Sequence, residues 1–347
     1  MKILITGPSW VGDMAMAHAL CRHLRQQYPD CLIDILAQAW CLAVTERMPE
    51  VRRSIVSPLK HGELGLLKRY RLGKSLRAEA YDWAIVLPIT FKSALVSYWA
   101  KIRRRTGWHG ECRYGVLNDR RPLDPNVLPL MVQRFVALGY DEQSDWSPDQ
   151  ILPPKLVAQA DAIPDIVDHY ALKIAPERPV LAICPGAAYG SAKRWPVEHV
   201  ATLARQKLAE GWQVWLLGSP AEADLLQTIN QQAEQGCQIL GGQVSLAHKI
   251  DLLSLASVVV SNDSGLLHVA AGLQKPVIAI YGSTTPDFTP PLSLHTRILQ
   301  TEHTCRPCFK RECPLPEAKL PEAQLQCLRD IQPTQVAAAI DQLVTVA

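Results

Sequence analysis

Several features are missing from the sequence, and each absence argues against a class of protein. No stretch approaches 18 consecutive apolar residues, so no transmembrane helix is expected. The opening MKILITG runs straight into a strand and a turn, without the long apolar segment of a secretory leader. Internal repeats and low-complexity tracts are absent. The dinucleotide fingerprint G-x-G-x-x-G is absent too. Gly7-Pro8-Ser9-Trp10-Val11-Gly12-Asp13 has the glycine spacing of a P-loop, but Asp13 stands where lysine is needed and no Ser or Thr follows. A carboxylate there repels phosphate, which argues against a nucleotide triphosphatase. With a net charge of only +3 and no recognition motif, nucleic acid is a poor partner.

What is present describes an ordinary folded chain. Its 347 residues suit two domains, and 48% hydrophobic with 20% charged residues is typical of a globular protein. Charge is unevenly spread: residues 1–150 hold 21 Lys+Arg against 15 Asp+Glu, and the remainder holds 15 against 18. A basic first half favours an anionic partner, although ordinary scatter gives the same imbalance. Ten cysteines without a leader are expected to be reduced thiols. The expected location is therefore the cytoplasm, with peripheral contact to a membrane still open.

Short apolar runs recur, each stopped by Gly, Pro, Asn or Asp: KILITG, LIDILA, WAIVLP, VLAICPG, VWLLGS, VVVSND and VIAIYG. Helix-like stretches such as 14–27 and 199–210 lie between them. This alternation predicts an α/β protein with parallel sheets built from βαβ units. It pauses between Ser144 and Pro179, where prolines and acids mark the inter-domain connection around one expected helix over 155–175. The expected domains are 1–165 and 166–330. Val336, Ile340, Leu343 and Val344 fall on one helical face, so 331–347 is expected to be a closing helix.

In open parallel sheets ligands bind beyond the carboxyl ends of the strands, and the informative motifs sit there. Asp13 stands at the start of a helix, where the macrodipole favours its ionised form; that suits a helix cap and a general base alike. CPGAAYGSAKRWP, residues 184–196, combines a glycine-bearing loop with Lys193 and Arg194 ahead of a helix. That set suits a diphosphate, or a solvated basic turn. In VVVSNDSGLLHVAA, residues 258–271, a buried strand delivers Asn262-Asp263-Ser264-Gly265 to a helix carrying His268. Ser264 and Gly265 offer donors at that helix start, and His268 can turn to the same end. Glu222, four residues after Gly218, stands where an acid accepts ribose hydroxyls or simply opens a helix.

Two further clusters stand apart. Cys305, Cys308, Cys313 and Cys327 are spaced C-x2-C-x4-C-x13-C, which suits a structural zinc clip or four free thiols. YWAKIRRRTGWHGECRYG interleaves aromatics with Arg103, Arg104, Arg105 and Arg113, a composition suited to sugars, phosphates or a membrane interface.

Together GPSWVGDMAMA, PGAAYGSAKRWP, NDSGLLHVAA and YGSTTPDFTPP resemble the lipopolysaccharide heptosyltransferases of glycosyltransferase family 9. AWC, RMPEV, FKSALV and RTGW extend the resemblance over nearly the whole chain. The resemblance implies a GT-B fold, two Rossmann-like domains facing across a cleft, with the acceptor on the first and the ADP-sugar on the second. It implies inverting transfer of heptose from ADP-heptose to a heptosylated Kdo2-lipid A acceptor, at the cytoplasmic face of the inner membrane. Asp13 would be the base; Lys193, Glu222, Asp263, Ser264, Gly265 and His268 would hold the donor, and no catalytic metal or other cofactor would be needed. Lys92, Arg105 and Arg113 would contact the acceptor. Related first-heptose enzymes carry paired threonines where this chain has Ala187 and Ala188, so those contacts fall to Tyr189 or Ser191 or are lost. Another core acceptor, a sugar-nucleotide epimerase on the same fold and a ligand-binding protein remain the alternatives.

Overall fold

The computed structural model describes residues 1–60, 62–141, 144–315 and 324–346. The chain divides into two compact units, Met1–Val157 and Ala158–Ala347. In the first, β1 (Lys2–Thr6), β2 (Leu32–Ala37), β3 (Val51–Val56), β4 (Trp83–Val86), β5 (Arg104–Trp108) and β6 (Asp119–Arg121) form a parallel sheet in the order β3-β2-β1-β4-β5-β6. The second repeats the plan with β7 (Val180–Cys184), β8 (Gln213–Leu216), β9 (Gln238–Ile239), β10 (Val258–Asn262), β11 (Val277–Ile280) and β12 (Thr296–Leu299), ordered β12-β11-β10-β7-β8-β9. Within each unit this is the Rossmann order 3-2-1-4-5-6, and it reverses between the first and fourth strands.

The central strands are mostly apolar, as expected for strands buried on both faces. Ile3, Leu4 and Ile5 of β1 and every residue of β7 and β10 are buried. The strands that apolar runs did not reveal lie toward the margins. VRRSIV of β3 and TRIL of β12 are half-exposed edges carrying arginine, and β9 has only two residues. RRTGW, part of the basic-aromatic run, is β5.

The connection also differs from expectation. In place of one helix over 155–175, a 3-10 turn at Ala160–Ala162 leads into a seven-residue helix, Ile163–His169. Pro164 fits only a first turn, and Ala171, at φ 49°, closes the helix soon after. Before it, residues 150–157 form an extended strap on the Val11–Gln27 helix. The Leu152 N–H donates to His23 Nε2 (2.9 Å), and the Lys155 N–H donates to His18 Nδ1 (3.2 Å). A peptide N–H can only donate, so His23 Nε2 must be unprotonated and its Nδ1–H must point to the Tyr140 hydroxyl at 2.8 Å.

Burial holds His23 neutral, lowering its pKa to about 4, with Arg22 adding to the effect. The unfolded chain takes up that proton near pH 6.5, so this contribution to stability is complete above 6.5 and disappears as pH falls toward 4. Urea titrations should show a loss on the order of 1–2 kcal/mol across that window, missing in His23→Gln. An identical pH slope in the variant would remove His23 as the cause.

The closing helix runs over Pro333–Val346. Val336 and Ile340 enter the second core fully, and Leu343 and Val344 pack at its margin beside Trp195, Leu328 and Ile331.

Candidate functional site

In the first unit β1 ends at Thr6 and a tight loop leads to the Val11–Gln27 helix. The Gly7 N–H donates to the Leu36 carbonyl (2.9 Å), and a Cβ at Gly7 would press on Met14 and Ile35. The loop is pinned further along, where Trp40 Nε1 (2.7 Å) and Cys41 Sγ (3.5 Å) both donate to the Ser9 carbonyl. Trp10, not Asp13, is the N-cap; Asp13 is the helix's third residue and its only first-turn acid. Its place in the first turn puts it at the positive end of the helix macrodipole, which favours its negative charge. Burial, with the Asp13 carboxylate adding to it, pushes the Cys41 thiol up to about 12.

A pocket of about 90 Å³ opens beside this loop, lined by Gly7 and Ser9 together with Lys60, Arg69 and Lys92. Lys92 Nζ donates to the Gly62 carbonyl (2.7 Å). Lys60 lines the same pocket; its sequence neighbourhood held no motif to reveal it.

Arg105 and Arg113 are placed differently from expectation. Arg105 donates to the carbonyls of Val116 (2.7 Å) and Ile102 (2.5 Å). Arg113 is 1% exposed and donates to the carbonyls of Pro88 (2.9 Å) and Trp108. Both guanidiniums brace the chain around β5, and Arg104 similarly lies over Trp83 (4.2 Å) and bonds Asp119 (3.1 Å). Arg104, Arg105 and Arg113 thus serve as scaffolding: a guanidinium's five donors satisfy loop carbonyls that burial would otherwise leave unpaired. Tyr98, Lys101, Arg103 and Tyr114 of the same run are exposed.

In the second unit the reversal of strand order lies between β7 and β10, and the two strongest motifs follow those strands. Asn262, at the end of β10, fastens the loop after β7. Its Nδ2 donates to the Pro185 carbonyl (2.6 Å) and its Oδ1 accepts from the Trp195 N–H (3.1 Å). With both ends of the loop held, Lys193 Nζ meets Asp263 Oδ2 at 2.5 Å and the Asp263 carbonyl at 3.3 Å. Thr284 Oγ1 donates to the same carboxylate oxygen (2.8 Å), and His268 Nε2 lies 3.8 Å from the other. Burial alone would raise the Asp263 carboxyl. The His268 imidazole and the Lys193 ammonium reverse this and hold it at about 2.

Two observations point to a ligand here. An ammonium has three donors, and Lys193 directs two at Asp263, leaving one. His268 is 6% exposed, yet its Nδ1 has no hydrogen-bond partner. Beside them Ser264 is the N-cap of the Gly265–Gly272 helix and makes no side-chain cap bond, so first-turn amides stay available.

Glu222 joins a second pair of strand ends. One carboxylate oxygen accepts from the Ser219 N–H (2.7 Å) and hydroxyl (2.8 Å) in a capping box; the other faces Gly186, where any Cβ would collide with it. The glycine thus allows the loop after β7 to meet the acid after β8. Lys249, 4% exposed, adds a positive charge that acts on both Glu222 and Cys184, and burial lowers its pKa. Sequence reading missed Lys249, which stands in a plain helical stretch, and did not single out Thr284 within the YGSTTPDFTPP motif.

The Tyr189 ring lies 5.1 Å from the Lys193 ammonium, and its hydroxyl donates to the Phe309 carbonyl (2.7 Å). The segment from His303 meets the loop after β11 through Arg306, which donates to the carbonyls of Gly282 (2.5 Å) and Thr284 (3.1 Å). Its cysteines share one neighbourhood: burial, then Cys305, Cys313 and Cys308, push Cys327 up to about 11. Among the described residues, however, no three His, Cys, Asp or Glu side chains are arranged to hold an ion.

Two domains of Rossmann strand order, one with a buried cation–carboxylate–imidazole set at its switch point, define a glycosyltransferase of the GT-B class. The model of glycosyltransferase family 9 (heptosyltransferase) matches residues 69–319, and the chain belongs to that family. It is 46% identical over 308 residues to lipopolysaccharide heptosyltransferase 2 of Salmonella typhimurium, covering 86% of this chain and 88% of that protein. Lipooligosaccharide heptosyltransferase 2 of Haemophilus ducreyi is 43% identical over 353 residues, covering 99% of both. The solved E. coli ADP-heptose lps heptosyltransferase II matches with a TM-score of 0.85 at 41% identity, again over 99% of both chains.

Proposed function

We propose that this enzyme transfers L-glycero-D-manno-heptose from ADP-heptose to the first heptose of the Kdo2-lipid A inner core. The observation that carries the reading is the Lys193–Asp263–His268 set, with one ammonium donor and one buried ring nitrogen left over, in a chain 46% identical to a lipopolysaccharide heptosyltransferase 2.

In this reading the Ala158–Ala347 unit binds the donor. Lys193 and the amides at Ser264 and Gly265 neutralise the diphosphate, Glu222 accepts a ribose hydroxyl, and Asp263 orients the heptose with His268 completing the site. The Met1–Val157 unit receives the acceptor, with Lys92 and Lys60 facing its anionic groups. Asp13 takes the proton of the acceptor hydroxyl as that oxygen attacks the anomeric carbon. The bond from that carbon to the diphosphate oxygen breaks, ADP leaves with the electron pair, and the configuration inverts. No described helix is long and apolar enough to cross a membrane. The reading places the contact with a lipid-anchored acceptor at the cytoplasmic face of the inner membrane, as a peripheral one.

ADP release from ADP-heptose tests this directly, with Kdo2-lipid A either bare or carrying one heptose. Release only with the heptosylated acceptor is expected. Release with the bare acceptor would assign the first-heptose step instead, and no release with either would overturn the transferase reading.

A further inference from the structure

The helix Leu66–Ser75 displays an unusual distribution of side chains. Its inward face, at Arg69, Leu72 and Gly73, packs toward the Phe91–Trp99 helix, and the buried residue of its first turn is an arginine. Its outward face begins with leucine. Leu66 is 50% exposed, Leu67 60% and Tyr70 39%, and Leu64 in the preceding loop is 52% exposed.

This inversion is held in place by hydrogen bonds. Arg69 Nε donates to the Leu64 carbonyl (2.7 Å), and its terminal nitrogens donate to the carbonyls of Glu63 (3.1 Å) and Lys92 (2.9 Å). Gly65, at φ 51°, turns the chain into the helix. The guanidinium therefore fixes loop, helix start and neighbouring helix together, with the leucines left outside. Clustered leucines in water carry a hydrophobic cost that nothing among the described residues offsets, which points to a partner covering them.

The charge around the patch selects that partner. Residues 60–77 contain six Lys or Arg and one acid, Glu63. Glu63 is paired with Lys68 at 2.8 Å. Arg71 and Lys74 share the outward face with Leu67 and Tyr70, and both are exposed. Apolar side chains a few ångströms deep, ringed by cations with long stems, match the boundary between headgroups and acyl chains. Nucleic acid would take the cations but not the leucines.

We propose that Leu64, Leu66, Leu67 and Tyr70, flanked by Arg71 and Lys74, dock this protein onto an anionic lipid bilayer. The inference deepens the proposed function by assigning its membrane contact to one surface. It also explains a juxtaposition. The patch adjoins the pocket lined by Lys60, Arg69 and Lys92, so a lipid-anchored acceptor would present its head to that pocket from the surface the leucines enter.

Sedimentation with sucrose-loaded vesicles tests the proposal. The full chain should bind vesicles containing phosphatidylglycerol at least fivefold more tightly than pure phosphatidylcholine, and less tightly as salt rises. Leu66→Ser/Leu67→Ser and Arg71→Glu/Lys74→Glu should each weaken binding at least fivefold, with melting temperatures close to the parent's because all four side chains are exposed. No binding to anionic vesicles, or unchanged binding by the leucine variant, would overturn the proposal. So would loss of self-association by that variant without any vesicle binding, which would assign the face to a second copy of this chain. Vesicle binding needs neither ADP-heptose nor turnover. A chain that binds vesicles as described but releases no ADP would lose only the functional reading.

Discussion

Asp13→Asn is expected to bind ADP as the parent does and to lose about 10²–10⁴-fold in turnover, the range attributed to a positioned general base. The substitution keeps size and hydrogen-bonding capacity and removes only basicity. Asp13 is the third residue of its helix, with Trp10 at the cap, so the change does not strip the cap. The macrodipole interaction lost is worth about 0.3–1 kcal/mol. That is far too little to lower activity a hundredfold through unfolding, and a melting curve recorded beside the kinetics separates the two effects. Calorimetric titration with ADP and an ADP-release assay provide the measurement. Turnover within a few-fold of the parent would leave Asp13 serving only the helix start.

Lys193→Ala should act on the opposite quantity, weakening ADP binding about 10–100-fold, as expected for loss of a mostly buried charge-assisted contact. The same variant makes a prediction that needs no ligand. Lys193 lies 2.5 Å from the Asp263 carboxylate, and both side chains are largely buried. The carboxyl is held at about 2, so its contribution to stability is fully present above the ordinary value near 3.8 and is lost as pH falls from 3.8 toward 2. Without the ammonium, burial pushes the carboxyl up again, and the loss should begin at higher pH. Denaturant midpoints at pH 3–6 measure this shift. Unchanged ADP affinity would take Lys193 out of the phosphate site even if the acid limb moved.

How much of this was legible in the sequence depended on how local each cause is. The central strands were readable because a strand buried on both faces is rich in apolar residues, as in VLAIC and the valines that open VVVSN. The margins were not. VRRSIV and TRIL satisfy only one face, and their arginines look like surface. The expected helix over 155–175 failed because His18 and His23, more than 120 residues away in sequence, hold residues 152 and 155 as an extended strap. No pattern within that segment records those partners.

The site divides in the same way. Motif chemistry drew attention to Asp13, Lys193, Glu222, Asp263 and His268 but left each open to a cap, turn or core reading, and the family resemblance supplied their proposed roles. Only folding showed that Asn262 clamps the loop of Lys193, that Thr284 bonds Asp263, and that Lys249 brings a buried charge to Glu222. It also turned Arg105 and Arg113 from apparent ligand contacts into internal braces, and left leucines on the outside of a helix whose buried first-turn residue is an arginine. By itself, the sequence determined the α/β class, the two-domain plan and the residue types of the proposed phosphate site, because periodicity and loop chemistry are short-range. Tertiary structure alone decided which charges face one another and which are consumed by carbonyls, because electrostatic and hydrogen-bond partners are set by distance in space rather than along the chain.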